Sequence, residues 1–506
     1  MNRIFLVFVT IVLSAVSLTG QDRQAIGPKY VLTLKEVVEI AKQQSPRAIQ
    51  ARHSFRASYF NYISYKAEFL PKLTLTTQPT SWDKSIRTVT SVNDEGVVTT
   101  REARGNTFTS TAGLALSQNI GFTGGSISLG SDFLRSQSFL ESNSDIATQY
   151  TTTPIRLSLS QPLNGYNRFR WQKEIEPLRY EEAKQSYIVQ MEEVAAWAVD
   201  YFFALAVAQV NLNIAETNLK NTAELYTVTQ GRYNLGTVAE DDLLRVELRH
   251  MQSTGSLNSA NLRIESALNR LRSFLGFRDN VQIELLIESD IPDFKVKYEE
   301  ALELALTRNP NIISYNRQIL EAKEEVSRAK SQTGITLNLD ASFGTNKTGY
   351  KFNEAYSSPF DDREGIGLRI NVPILDWNQS RNSYRYAQSR LEVTEAQVQQ
   401  QETTFKQNVF LEIMSFNMQE DQLRIAAKSD TIANKSYDIS YQRYLAGKGT
   451  VTDLNLADTE KDAARRSYMD ALNTYWSLYY SVRQLTLFDF LTKKPLEEDF
   501  ELIVGE

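Results

Sequence analysis

The chain has no cysteine among its 506 residues. That excludes disulfides, cysteine-ligated metals and an N-terminal lipid carried on cysteine. Only two histidines occur, His53 and His250, so a histidine-built metal centre or a Ser-His-Asp relay has almost no material to work with. No glycine-rich phosphate loop follows a strand, since Gly121–Gly125 lies between two strand-like runs. The formal net charge of −6 is mild for this length and argues against a nucleic-acid partner. An enzyme, a metal site and a cofactor are therefore not expected. After the N-terminus, long apolar runs are also scarce. The nearest is Val194–Val210, interrupted by Asp200 and Gln209. It continues a heptad stripe from Tyr187 through Met191, Val194, Ala198, Tyr201 and Leu205, so enclosure by other helices fits it better than lipid.

One apolar run does stand out. Ile4–Leu18 follows Arg3 and leads to small residues ending near Gly20. A span of about 15 residues is short for a membrane helix, and the pattern reads as a secretory signal peptide over 1–20. The remainder belongs to a protein working outside the cytoplasm.

The mature sequence repeats itself. Tyr233-Asn-Leu-Gly236, with Asp242 six residues on, recurs 211 residues later as Tyr444-Leu-Ala-Gly447 with Asp453. Beyond each, an apolar stripe steps by three and four over ten positions. One runs from Leu243 and Val246 through His250 to Phe274; the other runs from Leu454 and Ala457 through Lys461 to Leu485. Such a stripe marks a long helix packed as in a coiled coil, and its recurrence marks one unit used twice. His250 and Lys461 share a stripe position and read as polar spacers.

Upstream the order also repeats. Short helices over Thr33–Gln44 and Tyr298–Arg308 reach Ser45-Pro46 and Asn309-Pro310, and each proline opens a second helix. Here the offset is 264. Alternating strands follow, from Leu73-Thr-Leu75 to Leu157-Ser-Leu159-Ser-Gln161-Pro162 and from Leu337-Asn-Leu339 to Leu368-Arg-Ile370-Asn-Val372-Pro373. The fall in offset from 264 to 211 places 53 extra residues in the first β region. They include Leu114-Ala-Leu116-Ser-Gln118, an echo of Leu157–Gln161, so the first half carries an additional hairpin. Long helices over about Trp171–Thr229 and Ser380–Arg443 turn at the Tyr-x-x-Gly loops; about 59 residues reach on the order of 90 Å.

The boundaries read as a first repeat over 21–295 (strands 72–163, helical hairpin 171–276) and a second over 296–490 (strands 335–374, helical hairpin 380–487). Residues 491–506 read as an acidic C-terminal tail, solvated from Leu496 on. A membrane barrel needs about eight strands or more and no open edge, so strands this few have to be shared between chains.

The doubled order of helix, proline-started helix, strands ending in Gln-Pro or Val-Pro, long helix, Tyr-x-x-Gly-x5-Asp turn and return helix resembles the TolC-like outer membrane efflux protein family over about Val31–Phe490. The resemblance implies an α+β, mostly α fold: a trimeric outer-membrane β-barrel of twelve strands continuous with a long periplasmic α-helical barrel. It implies a homotrimer in the outer membrane of a Gram-negative bacterium, extending into the periplasm. Its partners would be outer-membrane lipid, a periplasmic adaptor and an inner-membrane pump of the RND or ABC type. The implied function is the passive exit duct of a tripartite efflux or type I secretion system; the alternative is a non-channel periplasmic coiled-coil adaptor. Asp453 matches the family's pore-constricting acid, although a capping role is also open to it. Asp242 and Tyr444 match its closing tethers, with Lys448 standing near a missing arginine. Asn234, Leu235, Gly236 and Thr237, with Leu445, Ala446 and Gly447, would dock the adaptor. Matching twelve helices to twelve strands, we expect four membrane strands per chain. The 53-residue surplus would then form an external hairpin, with variable tips near Asp83–Asn106, Arg135–Tyr150 and Thr345–Arg363.

Overall fold

The computed structural model describes residues 29–92, 98–140, 146–277, 281–287, 292, 294–446 and 448–505. The signal-peptide reading of 1–20 lies outside them. Strand β1 (Lys29–Leu32) leads into α1 (Leu34–Gln44), which Thr33 starts with a capping box closed by Glu36. The Thr33 hydroxyl accepts from the Glu36 N–H, and the Glu36 carboxylate answers the Thr33 N–H at 2.8 Å. Ser45 then caps α2 (Pro46–Ala67), where Pro46 stands at a position that needs no N–H.

Four strands follow: β2 (Lys72–Val92), β3 (Val98–Ile120), β4 (Gly125–Leu140) and β5 (Ile146–Pro162). Helix α3 (Arg168–Asn234) runs away from the sheet, and α4 (Glu240–Leu275) returns. The second repeat follows the same plan. Strand β6 (Gln282–Leu285) precedes α5 (Tyr298–Arg308) and α6 (Pro310–Ser331), the latter capped by Asn309 ahead of Pro310. Strand β7 (Thr336–Gly349), the one-turn α7 (Phe352–Ala355) and β8 (Asp361–Asn371) come next, then α8 (Gln379–Leu445) and α9 (Val451–Thr486). The two outgoing helices are each 67 residues long and the two return helices each 36. At 1.5 Å per residue the longer pair extends about 100 Å.

Where the repeats meet, the helices become apolar on several faces and form the core. Val194, Ala198, Phe202 and Leu205 of α3 pack against Val37 and Ala41 of α1, Phe405 and Ile413 of α8, and Leu472 and Tyr475 of α9. The apolar run of α3 is long enough to cross a membrane by length and composition, but in this fold its core face is covered by protein. Asp200 within it accepts from the Ser477 hydroxyl at 3.1 Å. The parallel pair β1–β6 joins the segments that lead into α1 and α5. Glu192, buried in this core, takes Lys42 on one side and Arg483 at 2.7 Å on the other.

Two expectations are corrected here. Residues 491–505 are not a solvated tail: the two-residue strands β9 (Phe488–Asp489) and β10 (Lys494–Pro495) pair, and α10 (Phe500–Gly505) docks on the core. Phe500 lies 5.1 Å from the Phe55 ring, Ile503 is buried, and Arg56 Nε donates to the Ile503 carbonyl at 2.6 Å. An acidic stretch with a few apolar residues at helical spacing can still cover a core edge.

The second correction concerns the sheet. The surplus residues do not form a hairpin outside a four-stranded wall. A single antiparallel sheet runs β2-β3-β4-β5-β7-β8, with Leu114–Ser117 paired on both sides and Ser126–Phe133 likewise apart from the register shift at Ser131. The span 83–106, expected as a variable tip, is for the most part strand. Matching helix number to strand number failed because each strand pairs with its neighbours, and nothing in the helices restrains how many hairpins lie between two of them.

Replacing Glu192 by Gln leaves Lys42 and Arg483 facing each other across a neutral, buried group. We expect a loss of about 3 kcal/mol, read as a lower denaturant midpoint of the detergent-solubilised protein.

Candidate functional site

The ends of the helical hairpins carry the expected site residues. At the first turn the helix closes with the Leu235 and Gly236 amides donating to Gly231 and Tyr233, and the Thr237 amide donating to the Arg232 carbonyl at 3.0 Å. Gly236 sits at φ +70, where a side chain would be strained. The second turn repeats this bonding at the 211-residue offset: Lys448 N–H donates to the Arg443 carbonyl at 2.9 Å. Asn234, Leu235, Gly236 and Thr237 are exposed, Leu235 to 79%. Ala446 and Lys448 are also exposed, Leu445 is the last residue of α8, and Gly447 lies outside the described residues.

Asp242 and Asp453 occupy equivalent third positions of their return helices but do different work. Thr450 caps α9, and Asp453 completes the box. Its carboxylate accepts from the Thr450 hydroxyl at 2.7 Å and the Thr450 N–H at 3.3 Å, while its own N–H donates back at 3.1 Å. These bonds hold the Asp453 carboxyl below the ordinary carboxylate range. In the first repeat the capping position is Ala239, which has no hydroxyl, and no side-chain bond caps the helix. Asp242 stays in the acidic first turn with Glu240 and Asp241, complementing the helix dipole. Tyr444 is buried with Leu225, Val246 and Leu454, linking both hairpins, and Arg232 lies 6.0 Å from its ring.

Immediately above the tips is a layer that sequence reasoning missed. Asn218 and Asn221 of α3, Arg249 of α4, Tyr437 of α8, and Asp458, Lys461 and Asp462 of α9 meet between the hairpins. Arg249 bonds Asp458, which also takes Lys461 at 2.8 Å. Asn218 donates to Asp462 at 3.1 Å and Asn221 to the Tyr437 hydroxyl at 2.8 Å, and Lys461 Nζ stands 3.7 Å over the Tyr437 ring. Lys461 is thus more than a spacer, whereas His250 stacks on Tyr226 at 6.2 Å. The legible signal was the departure from apolar residues at consecutive turns of α9. Burial and the adjacent Asp458 push the Asp462 carboxyl up, and burial with Asp458 pushes the Tyr437 hydroxyl up to about 12. Among the described residues no cluster of three or more acidic or histidine side chains is placed to hold a metal.

Long paired hairpins hung from an amphipathic sheet define the outer-membrane channel fold. Solved structures share it at low identity. The Campylobacter jejuni CmeC outer membrane channel aligns with a TM-score of 0.65 at 15% identity, over 93% of this chain and 88% of that one. The Neisseria gonorrhoeae MtrE outer membrane channel in its open state aligns with a TM-score of 0.60 at 14% identity, over 92% and 91%. The outer membrane efflux protein family model matches residues 124–277 and 301–486, and the chain belongs to that family. Among curated relatives, the alkaline protease secretion protein AprF of Pseudomonas aeruginosa is 24% identical over 254 residues, 48% of this chain and 50% of that protein. Nodulation protein T of Rhizobium leguminosarum is 22% identical over 55% and 59%. The chain spans about half the length of the curated relatives it matches.

Because the folded state holds a proton on Asp462 to higher pH than the unfolded chain does, this group's stabilisation is complete below the unfolded value and lost as pH rises through the raised folded value. Asp462→Asn should therefore gain thermal stability over the parent as pH climbs above the ordinary carboxylate range. A variant-minus-parent midpoint difference that does not change with pH contradicts this.

Proposed function

We propose that three copies of the chain form an outer-membrane exit duct, with the helical hairpins crossing the periplasm and the sheets closing one barrel. The observation that carries this reading is the combination of a sheet apolar on one face and open at both edges with two hairpins of equal length descending from it. Unpaired strand edges are not tolerated in hydrocarbon, and hairpins of equal length bring both turns to one plane. The adaptor surface lies at these turns, Asn234–Thr237 in the first and Leu445–Lys448 in the second, where Leu235 and Lys448 are exposed. An inner-membrane pump supplies the energy for export through the duct. Family membership and the channel fold support this assignment to efflux or secretion. It requires no reaction and no cofactor.

At the tips, Asp453 contributes one carboxylate per chain to the constriction. Three such groups around the axis favour cations, and the low carboxyl pKa keeps them charged. The capping box lets the pore and capping roles be separated. Thr450→Ala removes the cap and keeps the carboxylate, whereas Asp453→Ala removes both. We expect only Asp453→Ala to lower cation preference and multivalent-cation block in planar-bilayer recordings. Equal effects of the two substitutions would assign Asp453 to capping.

Fractionation and native mass spectrometry test the duct itself: a trimer extracted only by detergent from outer membrane is expected. Gly236→Val should strain its turn by roughly 1–3 kcal/mol and reduce export while the trimer still assembles. Export that survives this substitution would move adaptor docking away from the turn.

A further inference from the structure

The geometry points to a barrel of eighteen strands, closed by β8 of each chain pairing antiparallel with β2 of the next, Leu73 opposite Ile370. This rests on the trimeric-duct reading and goes beyond it, since the family resemblance implies twelve.

The added hairpin shares the pattern of the whole sheet. One cross-strand row reads Leu73, Leu116, Leu129, Leu157, Phe343; the next reads Lys72, Ser117, Ser128, Ser158, Ser342. Cross-strand partners face the same side, so an apolar face and a polar face cross β2 to β7 without a break at β3 or β4, and on β8 the apolar row ends at Glu364. The polar face carries crossing ion pairs, Arg156 to Asp132 at 2.6 Å and Arg369 to Asp340 at 3.1 Å, as expected of a water-filled interior. A hairpin lying outside the wall would have no reason to share either face.

The sheet is also sheared as a barrel requires. The leucine row starts one residue from the helical end of β2 (Leu73 against Lys72) and four from those of β3 and β4 (Leu116 against Ile120, Leu129 against Gly125). It lies five from the end of β5 (Leu157 against Pro162) and seven from those of β7 and β8 (Phe343 against Thr336, Glu364 against Asn371). The climb never reverses. Setting Ile370 opposite Leu73 of the next chain displaces the row by six residues, from Glu364 to Ile370, over six strand spacings. At about 3.3 Å per residue and about 4.8 Å per strand that is a tilt of about 35°, within the range of membrane barrels.

The two free edges match in this register. β2 is interrupted by a register shift after Gln78, at Pro79, which offers no N–H. The uninterrupted stretch Lys72–Gln78 falls opposite Gly365–Asn371 and leaves the charged Asp361–Glu364 above the seam. Leu75, exposed to 68%, meets Leu368, and Thr77 meets Ile366, exposed to 85%. Diameter grows with strand number, so the outlet is about one and a half times as wide as a twelve-strand one.

The absence of cysteine makes the test direct. Two double variants, Leu75→Cys with Leu368→Cys and Thr74→Cys with Arg369→Cys, sample successive facing positions whose separation suits a disulfide or a short bismaleimide. A third, Ile127→Cys with Leu368→Cys, reports a twelve-strand wall closed on β4. Native mass is measured before linking. We expect trimers in which the first two pairs abolish the monomer band on denaturing gels and the third does not. Intact trimers that link only through Ile127, or through neither β2 pair, overturn the eighteen-strand wall and leave the duct standing. Monomers in every variant and in the parent overturn the duct reading and the wall with it.

Discussion

Two helical hairpins that descend from one sheet end in the same plane only if their helices match in length. That constraint organises the chain. The outgoing helices are both 67 residues and the return helices both 36, and the 211-residue offset holds through both hairpins without a single insertion. An insertion in one helix would rotate its stripe by about 100° per residue and shift its turn out of plane. Length can vary freely only where it leaves the direction of the chain unchanged. A strand pair does that, because it begins and ends on the same side of the sheet, and the 53 surplus residues are found there.

The same hairpins are held together differently at their two ends. Near the junction of the repeats the contact is apolar and wide, with Phe202, Leu205, Phe416 and Tyr475 fully buried. Toward the turns it is the network of Arg249, Asp458, Lys461, Asp462, Asn218 and Tyr437, with only the small apolar cluster of Leu225, Val246, Tyr444 and Leu454 below it. Separating an apolar seam exposes hydrocarbon to water at about 25 cal/mol per Å². Separating a buried polar seam returns its charges to water and recovers much of their desolvation cost. The fold therefore concentrates its resistance to opening at the junction of the repeats and leaves the tips the easier part to part. The unequal caps fit this pattern: Thr450 and Asp453 close α9 with three hydrogen bonds, while α4 begins at Ala239 with none from a side chain.

Much of the architecture was legible because it rests on periodicity. The stripes, the proline-started helices, Gly236 at positive φ and the doubling all depend on local spacing that a residue list preserves. The candidate site was less so. Asp453 could be placed near a turn by its spacing, yet its bonds to Thr450 need the capping conformation to be seen. The polar residues of α9 were legible, but not the layer they join, because its members come from four helices up to 244 residues apart, as Asn218 and Asp462 are. The acidic C-terminal residues misled in the other direction, since composition cannot show that Phe500 and Ile503 find Phe55 and Arg56.

The sequence by itself determined the two repeats, the equal hairpins, the alternation of the strands and the extra hairpin in the first half, because each follows from the period of an element or from counting residues between repeats. Only the tertiary structure decided how that hairpin is used. Strand alternation says which residues share a face, but not which strand lies beside which. Pairing Leu116 with both Leu73 and Leu129 is a choice among edges made by backbone hydrogen bonds, and nothing in the local sequence of any one strand encodes its neighbour.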